Sequence, residues 1–173
     1  MKNVKQKIIS EIIILIRKAQ VLAFKIGIPN ILQPGLVKEM IISEILNHNL
    51  ISSKRDADAC DKDNSSIKYE YLSCYEGGTG QLDRMFKEPP EKRAESLVMI
   101  TRNKMIYFAV FYKNKNNSLR VKIIYEITPQ IMLEETKRQL DRSGNAISHV
   151  GFSEEWAEQN GKIIYKNINN QKN

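Results

Sequence analysis

Apolar residues recur at helical spacing over residues 5–26, which predicts a first helix. Glu11, Arg17 and Lys18 interrupt its apolar character. The unbroken run 12–16 falls far short of the roughly 20 residues a membrane span needs. The expectation is an amphipathic helix, largely buried, in a protein with no membrane contact. Its apolar surface would serve its own core or a second copy equally well. Pro34 and Gly35 then break the chain. A second helix is expected over 36–48, with Val37, Met40, Ile41, Ile45 and His48 on one face. Glu44 falls on that face and Glu39 to one side of it.

From residue 67 the period changes. "IKYEYLSCY" reads as a strand, rich in aromatic residues and alternating, and "GGTG" ends it. "QLDRMF", residues 81–86, is read as the start of a helix. Pro89 and Pro90 open another, because proline suits a first helical turn. "KMIYFAVFY" predicts a central strand covered on both faces, and "LRVKIIYEI" its hairpin partner. Thr128 before Pro129 is a plausible cap for a helix through "QIMLEETKRQL". "ISHVGF" suggests a short strand. "SEEWAEQNG" suggests a helix capped by Ser153 and closed by Gly161, and "KIIYKN" a last strand. The fold class is mixed α/β, with one sheet of about four to five strands, flanking helices and an N-terminal helical segment. One domain is expected over 1–173: a helical part at 1–50, a core at 51–167 and a frayed tail at 168–173.

Charge adds a partner class. The chain has 27 Lys and Arg against 20 Asp and Glu, a net +7, which favours a polyanion such as nucleic acid. Cys60 and Cys74 lack the spacing of a zinc site and fit a reducing, cytoplasmic setting. The two histidines, His48 and His149, have no metal spacing and read as structural. No G-x-S-x-G is present, and the glycine-rich stretch 77–80 lacks the GK[ST] of a phosphate loop.

The acidic stretch carries the chemistry. Asp58 and Glu70 lie twelve residues apart across a turn, so a bent strand pair can bring both carboxylates to one end of a sheet. Two hard oxygen ligands suit Mg²⁺, which polarises water and offsets phosphate charge. The plainer reading is that aspartates favour turns and that Glu70 faces solvent.

"ADACDKDNSSIKYEYLS" resembles the active-site hairpin of the PD-(D/E)XK nucleases, in particular the small orthodox Type II restriction endonucleases. "LVKEMIISEILNH" is similar to the helix before that hairpin, and "ISHVGFSEEWAEQNGKIIY" to a closing segment of some members. The resemblance spans most of residues 36–165. It implies a restriction-endonuclease-like core and Mg²⁺-dependent, sequence-specific hydrolysis of double-stranded DNA by a homodimer. In that scheme Asp58 and Glu70 hold the ion. Glu39 on the preceding helix assists through a water on it, with Glu44 in reserve. The motif lysine would orient the attacking water, but Leu72 stands at its position and can neither donate a hydrogen bond nor carry charge. Lys68, two residues before Glu70 on the same strand face, is the candidate replacement. Gln81 and Arg84 are candidates for reaching the site or the DNA, and Lys115 in the basic segment 112–122 for contacting DNA. Two further possibilities remain: the ion alone activates water, or the site is inactive and the protein only binds DNA.

Overall fold

The computed structural model describes residues 4–51, 56–114, 116–117 and 119–168. The chain divides into two compact units, residues 1–37 and 38–173.

The first unit is dominated by α1 (Val4–Lys25). Gly27, at φ 79°, turns the chain back, and the Ile28 N–H donates to the Ala23 carbonyl at 2.9 Å. The Gln20 side chain accepts the Ile31 N–H at 3.0 Å and so pins the returning segment. The expectation of a largely buried helix is corrected here. Ala23 is the buried residue of α1, and its isoleucines are exposed.

The second unit takes in most of α2 (Leu36–Leu46), which is followed by β1 (Asn49–Leu50), β2 (Ala59–Cys60) and β3 (Lys68–Tyr75). Next come β4 (Thr79–Phe86), α3 (Pro90–Thr101), β5 (Met105–Phe111) and β6 (Val121–Ile127). The chain ends through α4 (Pro129–Arg142), β7 (Ile147–Ser153), α5 (Glu154–Asn160) and β8 (Lys162–Lys166). The expected mixed α/β class is the class found. A six-stranded sheet runs in the order β1-β2-β3-β5-β6-β8, and β4 and β7 form a separate antiparallel pair. The main sheet exceeds four or five strands because β1 and β2, two residues each, extend one edge, while β4 and β7 pair apart from it. β3 and β5 are parallel; the other pairings are antiparallel.

β5 is the centre of the sheet, and Ile106 through Phe111 are all buried. Alternation divides its neighbours between two cores. On one face Leu72, Cys74, Phe108 and Val110 pack with Met132, Leu140 and Phe152. On the other, Tyr69, Tyr71, Tyr107 and Phe111 pack with Ile42 of α2. Caps act where expected: the Thr128 side chain accepts the Ile131 N–H, and the Ser153 hydroxyl accepts the Trp156 N–H at 3.1 Å. Phe152 and Trp156 pack in the core, with ring centroids 4.8 Å apart. Cys60 and Cys74 are free, buried thiols. Among the described residues, no helix is long and apolar enough to cross a membrane.

Two local expectations are corrected. Residues 81–86 belong to strand β4, not a helix. Leu82 and Met85 pack toward the core while Gln81 and Asp83 keep solvent-exposed side chains, and the pairing partner is β7, far along the chain. A bulge between Leu82 and Met85 places Arg84 at φ 54°. The buried face of α2 also differs. It centres on Ile42, which is fully buried, and Glu39 at i−3 shares it, whereas Glu44 is exposed. Met40, Ile41, Ile42, Ile45 and Leu46 surround the helix with apolar groups, so the pattern has no sharp phase.

Candidate active site

The site lies where β3 loses its neighbour. Among the described residues β2 pairs only with Lys68 and Tyr69, so from Glu70 onward no described strand pairs with that edge of β3. The Asp58 side chain takes over there. Its Oδ2 accepts the Tyr71 N–H at 2.8 Å, doing what a strand carbonyl would otherwise do. The Asp58 carbonyl accepts the Ile51 N–H at 2.8 Å, which ties the segment to the end of β1.

A cavity of about 260 Å³ opens at this edge. Glu39 from α2, Asp58 from the segment before β2, and Glu70 from β3 all line it. Gln81, Leu82 and Asp83 of β4 form part of the wall, with Leu72, Met85, Met99, Ile100 and Ile106 as its apolar lining. The three carboxylates share an electrostatic cost. Burial pushes Glu39 up to about 7, and the Asp58 charge adds to the effect. Burial pushes Asp58 up to about 6, against the Tyr71 N–H and the Arg102 guanidinium. Glu70 is raised well above the usual carboxylate range by burial and then by Asp58, with Arg102 and the Asn103 side chain opposing. Its Oε2 is buried and has no hydrogen-bond partner among the described residues. An orphaned carboxylate oxygen of this kind calls for a cation or a proton.

Neither Arg102 nor Asn103 was singled out in the sequence. Both follow α3, immediately before β5, and no local motif marks them. What brings them to the site is sheet pairing: Lys104 N–H donates to the Lys68 carbonyl at 2.8 Å, and Ile106 stands opposite Glu70.

Lys68 shares the strand face of Glu70, but its Nζ lies 3.1 Å from Asp56 Oδ2. Leu72, at the motif lysine position, is buried among core side chains and closes one wall of the cavity. Gln81 lines the cavity. Arg84 is exposed on β4 and is not part of the lining, and Glu44 likewise stays outside it. Lys115 lies outside the described residues. The His48 ring stacks on Tyr69 at 4.1 Å, and its Nδ1 is 2.8 Å from the Tyr71 hydroxyl. His149 pairs with Asp83 at 2.9 Å on the exposed side of β4 and β7.

No protein-family model matches this chain, and no curated protein is significantly similar to it. The site therefore stands on its own chemistry.

Among the described residues, no three His, Cys, Asp or Glu side chains draw together tightly enough to enclose a metal ion. The requirement for Mg²⁺ is smaller. It is commonly held by one or two carboxylates and keeps several waters. Asp58 and Glu70, with room beside them and an unsatisfied Glu70 oxygen, fit that donor set. Glu39 stands on the same wall, placed to act through water.

Proposed function

We propose that this protein is a Mg²⁺-dependent endonuclease of the Type II restriction class, hydrolysing phosphodiester bonds in double-stranded DNA. One observation carries the reading: three carboxylates from three separate elements converge on one cavity at an open sheet edge, and burial raises all three. Clusters of perturbed carboxylates in a cleft are uncommon as structural features and common at functional sites.

Asp58 and Glu70 would hold the ion, which when bound supplies positive charge against the phosphate and acidifies nearby water. The residues divide the remaining work. The Tyr71 N–H fixes the orientation of the Asp58 carboxylate. The Arg102 charge favours the ionised form of both buried carboxylates and so offsets part of the cost of burying them. Glu39, with an affinity for protons near neutrality, is suited to accept a proton from the attacking water. The apolar wall of Leu72, Ile100 and Ile106 limits access of bulk water, which strengthens each of these interactions. The net charge of +7 favours association with DNA.

A second reading has its own support. Leu72 is a core residue, and the Lys68 ammonium is engaged by Asp56. A DNA-binding protein without cleavage would look the same at these positions. The experiment is digestion of unmethylated phage DNA by wild type, Asp58→Ala and Glu70→Ala, with Mg²⁺ and with EDTA. Discrete fragments that need Mg²⁺ and vanish in both variants are expected. Binding without cleavage in all three proteins would give the second reading instead.

A further inference from the structure

Four carboxylates line the cavity, Glu39, Asp58, Glu70 and Asp83, and among its described lining residues there is no lysine, arginine or histidine. A phosphodiester brought to such a wall meets repulsion that a single divalent ion offsets only in part. Asp83 brings a basic group to the rim: its Oδ1 lies 2.9 Å from His149 Nδ1. A carboxylate oxygen only accepts, so Nδ1 carries the hydrogen and Nε2 is the nitrogen left to face a ligand. The backbone beneath this pair is irregular. β4 and β7 pair in register from Thr79 and Ser153 to Leu82 and Val150, and again at Met85 with Ser148. In between, Asp83 and Arg84 stand opposite His149 alone. The extra residue lets Leu82 and Met85 both pack inward and sets two charged residues side by side away from that core. It also leaves Arg84 at φ 54°, a left-handed conformation that costs any residue with a Cβ and that glycine adopts freely. Packing alone would select glycine there. A strained arginine next to a cavity-lining carboxylate and opposite a histidine points to a use for its charge.

We propose that His149 and Arg84 are substrate contacts of this site. The His149 Nε2–H, aimed by Asp83, and the Arg84 guanidinium bind phosphate oxygens of the DNA strand that enters the cavity. Asp83 is then a positioning residue, and the β4 bulge is the device that carries the cationic side of the site. The proposal rests on the nuclease reading for its substrate and adds to it the groups that receive the phosphate. It brings from β4 and β7 positive charge that Leu72 on β3 cannot supply.

The test uses the full chain and reads cleavage, stability, binding and the histidine ring separately. On unmethylated phage DNA with Mg²⁺, His149→Ala is expected to lower kcat/KM by about 10-fold or more, as the loss of a charge-assisted hydrogen bond does. Arg84→Gly is expected to raise the melting temperature by roughly 2 °C, because the strained backbone relaxes, while raising KM several-fold. It is also expected to lower by about one the slope of log affinity against log salt for a short random-sequence duplex without Mg²⁺. The chain has two histidines, so isotope-labelled histidine reports both rings by magnetic resonance. Adding that duplex is expected to move the His149 signals and leave those of His48 in place. Cleavage by both variants at the wild-type rate overturns the proposal and leaves the nuclease reading standing. So does a fall in melting temperature that accounts for all of the lost cleavage, which would make the bulge a folding feature alone. A wild type that cuts nothing fails the nuclease reading instead. The His149 ring then decides: signals that move with the duplex sustain the phosphate contact, and signals that stay in place overturn it.

Discussion

The Tyr71 N–H donates to Asp58 Oδ2 at 2.8 Å, so the carboxylate that faces the cavity also completes the open edge of β3. One residue thus has a structural role and a chemical one, and substitutions can separate them. Asp58→Asn keeps an acceptor oxygen but removes the charge. It is expected to melt within about 1 kcal/mol of wild type while losing at least about 100-fold in cleavage. Asp58→Ala leaves the edge N–H unsatisfied and should cost about 1–3 kcal/mol more. Thermal melts beside a digestion assay distinguish the two.

The raised carboxylates make metal-free stability depend on pH. A carboxyl with a folded pKa above its unfolded value binds its proton more tightly when folded. Below the unfolded value both states are protonated and nothing is lost. As pH rises through about 6 for Asp58 and about 7 for Glu39, the folded state must bury charge and loses stability. The loss from pH 5 to pH 8 is expected to be on the order of 2 kcal/mol. Glu39→Gln should flatten the profile. Mg²⁺ should raise the melting temperature chiefly at the alkaline end, where the carboxylates are ionised.

The two cations near the site should behave differently. Lys68 and Asp56 form a partly exposed pair at 3.1 Å, with side chains 26% and 40% exposed. Lys68→Met is expected to cost no more than about 1 kcal/mol in urea unfolding. Arg102 faces two buried carboxylates, so Arg102→Met should cost about 3 kcal/mol or more at pH 8. That cost should shrink at pH 5, where both carboxyls accept protons. A cost that does not change with pH would mean that Arg102 acts by packing and not by charge.

Gly80 of β4 lies close against β3 and β5. A Cβ there would meet Phe108 Cε2 at 2.8 Å and Leu72 Cβ at 3.2 Å. Phe108 is fully buried and cannot swing away. Gly80→Ala is expected to destabilise by about 1–3 kcal/mol. Because Leu72 also lines the cavity, cleavage should fall in the same variant, by more than the loss of folded protein explains.

Much of the architecture was legible because the signals were local. The proline-opened helices, the caps at Thr128 and Ser153, and the hairpin of β5 and β6 all depend on neighbours within a few residues. Strand β4 was not legible, since its pattern gains meaning only from β7, some seventy residues on. The phase of α2 was hidden for a different reason. Apolar residues surround that helix, and the choice of Ile42 for the interior was made by the tyrosines of β3 and β5.

The same division runs through the site. From sequence alone came the carboxylate types, their spacing, the strand that holds Glu70, and the conflict posed by Leu72. Tertiary structure decided that Glu39, and not Glu44, faces the cavity. It also set Lys68 against Asp56 and brought Arg102 to the carboxylates. Those choices follow from helix phase and parallel pairing, which bring together residues that no short-range pattern relates. For α1 the order was reversed. Its apolar residues are written in the sequence, but only the folded chain showed that Ala23 turns inward while the isoleucines are exposed.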